Sequence, residues 1–176
     1  MDVDWKFICL KIVNEGHDYP NAAYERGHMR GMELLRVAAA VRDKVGRQAM
    51  LPLYQAYADV IHVEGQRERF DDPDAIRDVL KKLGHPVELA DAGYTTDYDA
   101  VLRAETEEAL ERCGGNIGTP VLSFSPPDGP SFFGPVINKA PAGAEAIELW
   151  DAVWALGNNA HFSELKRSNR GRPDFT

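Results

Sequence analysis

An α/β fold with a large inserted helical subdomain is predicted for this chain, on three observations. Val3 to Val13 is a mostly apolar, aromatic and β-branched run. Residues 21–115 then carry helical periodicity with no linker to interrupt it. Finally, Gly118-Thr119-Pro120-Val121-Leu122-Ser123 and Phe132-Phe133-Gly134-Pro135-Val136 flank the turn-rich Pro126-Pro127-Asp128-Gly129-Pro130, the pattern of an antiparallel hairpin. With 176 residues and 44% hydrophobic content, the chain is long enough for one well-packed domain.

Val3 to Val13 is too short for a typical isolated helix. Both of its alternating faces are largely apolar, so it reads as an interior strand of a parallel sheet, with Cys9 a small buried hydrophobe. In the helical stretch, Leu34, Ala38, Val41 and Val45 share one face of a first helix that Gly46 stops. Leu51, Tyr54, Ala58 and Ile61 repeat the pattern on a second helix, with Pro52 tolerable in its first turn. Asp72-Pro73-Asp74 supplies an N-cap, a first-turn proline and an acidic first turn. Ile76, Val79, Leu80 and Leu83 follow as its apolar stripe, and Gly84 closes the helix.

Pro86 to Ala92 reads as a short helix. A further helix runs from Thr96 or Asp97 to Cys113, with Leu102, Thr106, Ala109, Leu110 and Cys113 on one face and Gly114-Gly115 after it. Burial is the expectation for Cys113 as well. Beyond the hairpin, Ala142 to about Leu156 is amphipathic, and Ile147, Trp150, Val153 and Trp154 are read as its core stripe. Ser168 to Pro173 is polar and rich in breakers, as in a surface tail.

A net charge of −8 argues against a nucleic-acid partner, because phosphate binding needs clustered Lys and Arg. No apolar run reaches the roughly 20 residues that span a bilayer, and the first residues lack a secretory signal. A cytoplasmic location is therefore expected, with no membrane partner, and two distant cysteines agree with a reducing compartment. The five histidines show no paired ligand spacing, so no metal is expected and they are read as surface or satisfied residues. No Walker loop, Gly-x-Gly-x-x-Gly or Gly-x-Ser-x-Gly is present, and Asp71 to Asp74 is better explained as a helix cap than as a calcium loop.

Thr119-Pro120 is a candidate cis turn at the entry of a strand. This step, together with Asn14-Glu15, Phe133-Gly134-Pro135-Val136, Leu149-Trp150-Asp151 and His161-Phe162-Ser163-Glu164-Leu165-Lys166, resembles the DsbA family of thioredoxin-like oxidoreductases. The similarity is greatest to the cytosolic, mycothiol-dependent reductase branch of actinobacteria, and it covers nearly the whole chain. It implies a thioredoxin-like domain over 1–176, with residues 3–20 and 116–166 as its thioredoxin-like part, 21–115 as helical insertion and 167–176 as tail. Family members carry a Cys-x-x-Cys after a first strand. This chain has only Cys9 and Cys113, and neither matches.

The chain is therefore read as a member lacking its N-terminal strand, dithiol and first helix, so its activity as given is in question. What the resemblance leaves is the substrate side: Thr119 and Pro120 as the wall facing a dithiol, with Asn14, Glu15 and Tyr24 as pocket residues. Asn14 has an alternative role in shaping the turn after the first strand. The implied function is thiol–disulfide exchange with a small thiol or disulfide, with mycothiol or another low-molecular-weight thiol as co-substrate and no bound cofactor. Two alternatives stay open. One is a thiol-dependent isomerase or transferase similar to hydroxychromene carboxylate isomerases and kappa-class glutathione transferases; the other is a non-catalytic binding module. Loss of a central strand would leave a sheet edge open, so the chain is expected to be marginally stable or to associate, for instance as a homo-oligomer through that edge.

Overall fold

The computed structural model describes residues 2–115, 118–159, 161–167, 171 and 174. Most of the Ser168 to Pro173 tail lies outside them. The chain divides into two compact units, Met1–Glu108 and Ala109–Thr176. The architecture is mainly helical with one small sheet among the described residues, which is compatible with a thioredoxin-like fold carrying a helical insert.

Unit 1 is built on helix α2, Ala22–Lys44. The Asn21 side chain caps it by accepting from the Tyr24 N–H at 2.9 Å, and Gly46 ends its exit turn at φ 115°, a backbone region that only glycine enters freely. Leu34, Ala38 and Val41 are buried, as their spacing predicts. Helix α4, Pro73–Lys82, starts at the expected cap: Asp72 accepts from the Asp74 N–H at 3.0 Å and Pro73 opens the first turn. Its Ile76 and Leu80 are fully buried, and Gly84 follows at φ 73°. Val87–Tyr94 is a 3₁₀ helix, and α5 runs Asp99–Arg112, with Leu102 and Thr106 fully buried.

Two readings in this unit are corrected. Val3 to Val13 is not an interior sheet strand. Residues 2–9 join no ladder, and Leu10–Val13 forms a one-turn helix, α1. The Phe7 N–H donates instead to the Glu105 carboxylate at 2.8 Å, and the Cys9 N–H to Thr106 Oγ1 at 3.0 Å. A strand exists only where a neighbour completes its ladder, and here side chains of α5 satisfy the donors. The buried stripe of α3, Met50–Ala58, is also displaced: Met50, Leu53 and Tyr57 point inward with Val60, while Leu51 and Tyr54 are exposed. This helix is apolar nearly all round, so periodicity could not choose the face. A π-helical segment, Asp59–Val63, further shifts the phase.

Unit 2 holds the hairpin. Strand β1, Val121–Ser123, pairs antiparallel with β2, Ser131–Phe133, in the register Val121 to Phe133. Arg112 ties the turn down, donating to the Pro127 and Gly129 carbonyls at 2.7 and 2.9 Å and to Ser131 Oγ at 2.8 Å. Helix α6, Gly143–Gly157, sends Trp154 edge-on against the buried Phe124, with ring centroids 5.4 Å apart. Its expected core stripe is corrected: Ile147 is 64% and Trp154 47% exposed, because a two-stranded sheet offers too little surface to cover a 15-residue helix.

Candidate functional site

An open cleft of about 640 Å³ sits between α1 and the start of α2. That is within the size range of small-molecule sites. Asn14 ends α1, and its amide donates to the Leu10 carbonyl at 2.8 Å. Gly16, at φ 80°, turns the chain, and Asn21 then launches α2. The cleft is lined by Lys11, Asn14, Glu15, His17, Asp18, Tyr19, Asn21 and Glu25.

Lys11, Glu15 and Glu25 carry their charges in ion pairs. The Lys11 ammonium lies 3.1 Å from Glu25 and 4.8 Å from the centre of the Tyr19 ring. The hydrogen bond to Glu25 raises the Lys11 pKa, so the ammonium stays charged. Glu15 forms a two-toothed pair with Arg103 at 2.6 and 2.9 Å, and this hydrogen bonding holds its carboxyl below the ordinary range. Tyr24 is exposed and does not line the cleft. Its ring packs at a 58° tilt against that of His28, with centroids 4.8 Å apart, and lies 6.3 Å from that of the lining residue Tyr19. His28 Nδ1 is 3.4 Å from the Tyr19 hydroxyl, and burial pushes its pKa down. The cleft thus presents fixed donors and acceptors flanked by aromatic rings, suited to holding a small polar molecule.

Of the sequence-derived site residues, Asn14 and Glu15 share the cleft and Tyr24 stands beside it. Asn14 also makes the structural contact that its alternative role requires. Thr119 and Pro120 belong to unit 2, where both are exposed at the entry to β1. Their peptide bond is cis, as are Pro126–Pro127 and Gly134–Pro135, and the Pro120 carbonyl accepts from the Gly134 N–H at 2.8 Å. Sequence reasoning missed Lys11, Tyr19, Glu25 and Arg103. Glu25 sits 14 positions from Lys11 and Arg103 sits 88 from Glu15, and no periodicity links residues so far apart.

Neither thiol is built to attack. Cys9 is fully buried and Cys113 half-buried, and burial raises the pKa of each. A reactive cysteine needs the opposite, an exposed and electropositive setting. Among the described residues no group of three or more His, Cys, Asp or Glu is placed to hold a metal ion, and no helix is long and apolar enough to cross a membrane. Among the histidines, His85 departs from the satisfied reading: its Nε2 is buried with no partner among the described residues.

Comparison with known proteins places this geometry in a family context. A family model described as "Rv2466c-like: Mycothiol-dependent nitroreductase Rv2466c" matches residues 1–167. The chain is also 30% identical over 169 residues to "Uncharacterized protein Rv2286c" of Mycobacterium tuberculosis (strain ATCC 25618 / H37Rv). That match covers 94% of this chain and 68% of the relative.

Proposed function

The chain belongs to the Rv2466c-like family of mycothiol-dependent nitroreductases, and on that premise we propose that it serves a DsbA-type thiol oxidoreductase reaction in the cytoplasm, with mycothiol or a similar low-molecular-weight thiol as co-substrate. The observation that carries this reading is a polar cleft of small-molecule size within the matched residues, lined by Asn14 and Glu15. In it, the Asn14 amide and the Lys11–Glu25 pair hydrogen-bond the polar body of the thiol, while Tyr19 forms its aromatic side with Tyr24 standing beside the cleft. Thr119, next to Pro120, offers backbone groups to an extended thiol substrate. Residues 1–176 contain no Cys-x-x-Cys; Cys9 is withheld from exchange by burial, and the half-buried Cys113 has its pKa raised by burial, which lowers its thiolate fraction. The reacting thiolate therefore comes from the thiol co-substrate itself, or from a dithiol that is not among these residues.

That absence supports a second reading, in which these 176 residues bind the thiol without turning it over. One set of measurements separates the two. Isothermal titration with mycothiol gives the affinity, and steady-state reduction of a mixed disulfide and of a nitroarene by mycothiol gives turnover. Asn14→Ala is expected to weaken binding, and Cys9→Ser and Cys113→Ser to leave turnover unchanged. Binding without turnover favours the binding module. Absence of binding, or loss of turnover in Cys113→Ser, refutes the proposed site. The intact mass of the natural gene product shows whether a dithiol accompanies these residues in the cell.

A further inference from the structure

The turn of the β1–β2 hairpin is short of hydrogen-bond donors. Three of the six residues from Ser125 to Pro130 are prolines, which carry no N–H. The Gly129 N–H reaches the Ser125 carbonyl at 3.0 Å and the Phe124 N–H the Pro130 carbonyl at 2.9 Å, while the Pro127 and Gly129 carbonyls take their donor from outside the turn. That donor is Arg112, half-buried at the end of α5. Its two terminal nitrogens meet those carbonyls, and its Nε meets Ser131 Oγ at 2.8 Å. Ser131 Oγ lies in turn 2.8 Å from the Oγ of Ser123, its partner across the ladder. One planar guanidinium thus holds both the turn and, through Ser131, the first rung of the sheet.

Each strand has only three residues, and a two-stranded ladder so short does not hold its register unaided. The register decides what stands at the far end. With Ser123 opposite Ser131, the Pro120 carbonyl receives the Gly134 N–H at 2.8 Å, directly beside Thr119. We infer that Arg112 is a positioning residue: by fixing the turn and register of the hairpin it sets where β1 begins, and so holds the Thr119 backbone groups in place for an extended thiol substrate. This rests on the substrate role proposed above for Thr119. The demand is for a guanidinium and not for a positive charge, because a single ammonium cannot reach three acceptors spread around a planar fork.

Titration calorimetry and hydrogen exchange on the full 176-residue chain test this. The probes are mycothiol and a short peptide with a central cysteine, kept reduced. Arg112→Lys and Arg112→Ala are each expected to weaken peptide binding about tenfold and to leave mycothiol affinity unchanged. In both variants the Phe124 and Gly134 amides should exchange about tenfold faster, while the amides of α6, in the same unit, keep their protection. An Arg112→Lys variant with the parent's peptide affinity, unchanged exchange at Gly134, or equal loss of protection throughout α6 overturns the inference, as does a parent that does not bind the peptide. A parent that binds the peptide, weakened in both variants, but does not bind mycothiol supports the inference and refutes the cleft as the thiol site.

Discussion

Glu105 is the side chain that holds the N-terminal segment against unit 1, and replacing it with leucine isolates that role. Its carboxylate, 10% exposed, accepts from the Phe7 N–H at 2.8 Å and from Arg42 at 2.7 and 3.2 Å. Arg42 in turn lies over the Phe7 ring, 4.1 Å from its centre. Glu105→Leu leaves a buried N–H and a largely buried guanidinium without their acceptor. Breaking a buried pair on one side costs about 3–5 kcal/mol, and an orphaned backbone donor about 1–3 kcal/mol. The two losses overlap and Arg42 keeps some access to water, so about 3 kcal/mol is expected. With a urea slope of about 2 kcal/mol per M, the unfolding midpoint should fall by about 1.5 M.

Hydrogen exchange gives the local test. At 1.4 kcal/mol per tenfold, protection of the Phe7 amide should drop by about two orders of magnitude. Adding Arg42→Met to Glu105→Leu removes the stranded charge and should recover part of the loss, since an apolar replacement of both partners is far less costly than removal of one. A loss below about 1 kcal/mol with Phe7 protection unchanged would refute the account.

Three further outcomes are expected. Tyr57 is 8% exposed with a buried hydroxyl that has no partner among the described residues, and burial drives its pKa well up; Tyr57→Phe should therefore be neutral or stabilising in urea unfolding, and a loss above about 1 kcal/mol would show a missed partner. Under native conditions a chromogenic disulfide reagent should label Cys113 before Cys9, and Cys9 should react only as the chain unfolds; equal native rates would contradict the burial of Cys9. Hydrogen bonding from Arg30, at 2.7 and 2.9 Å, lowers the pKa of Asp71 from its ordinary 3.8. A carboxyl lowered in this way stabilises the fold above that value, and its contribution is lost as pH falls through the lower folded value. Asp71→Asn should flatten the stability profile below about pH 4, and an unchanged acid limb would count against the pair.

Local signals were legible where the physics is local. Asp72-Pro73 caps its helix because cap, proline and first turn lie within a few residues, and Gly46 and Gly84 end helices because they alone reach positive φ without strain. The hairpin was equally readable from its turn residues. Of the cleft, only Asn14 and Glu15 could be named, with Tyr24 beside it, since the Arg103 and Glu25 that set its charge come from distant sequence.

Short-range spacing, then, determined the long helices α2, α4 and α5, the α4 cap and the hairpin, and particular motifs carried the family resemblance. Tertiary structure alone decided which face of the all-apolar α3 is buried, which side chains charge the cleft, and whether Val3 to Val13 becomes a strand. A helix completes its hydrogen bonds within itself, so its sequence suffices to place it. A strand completes them with a neighbour, and here Glu105 and Thr106 serve Phe7 and Cys9 in that neighbour's place.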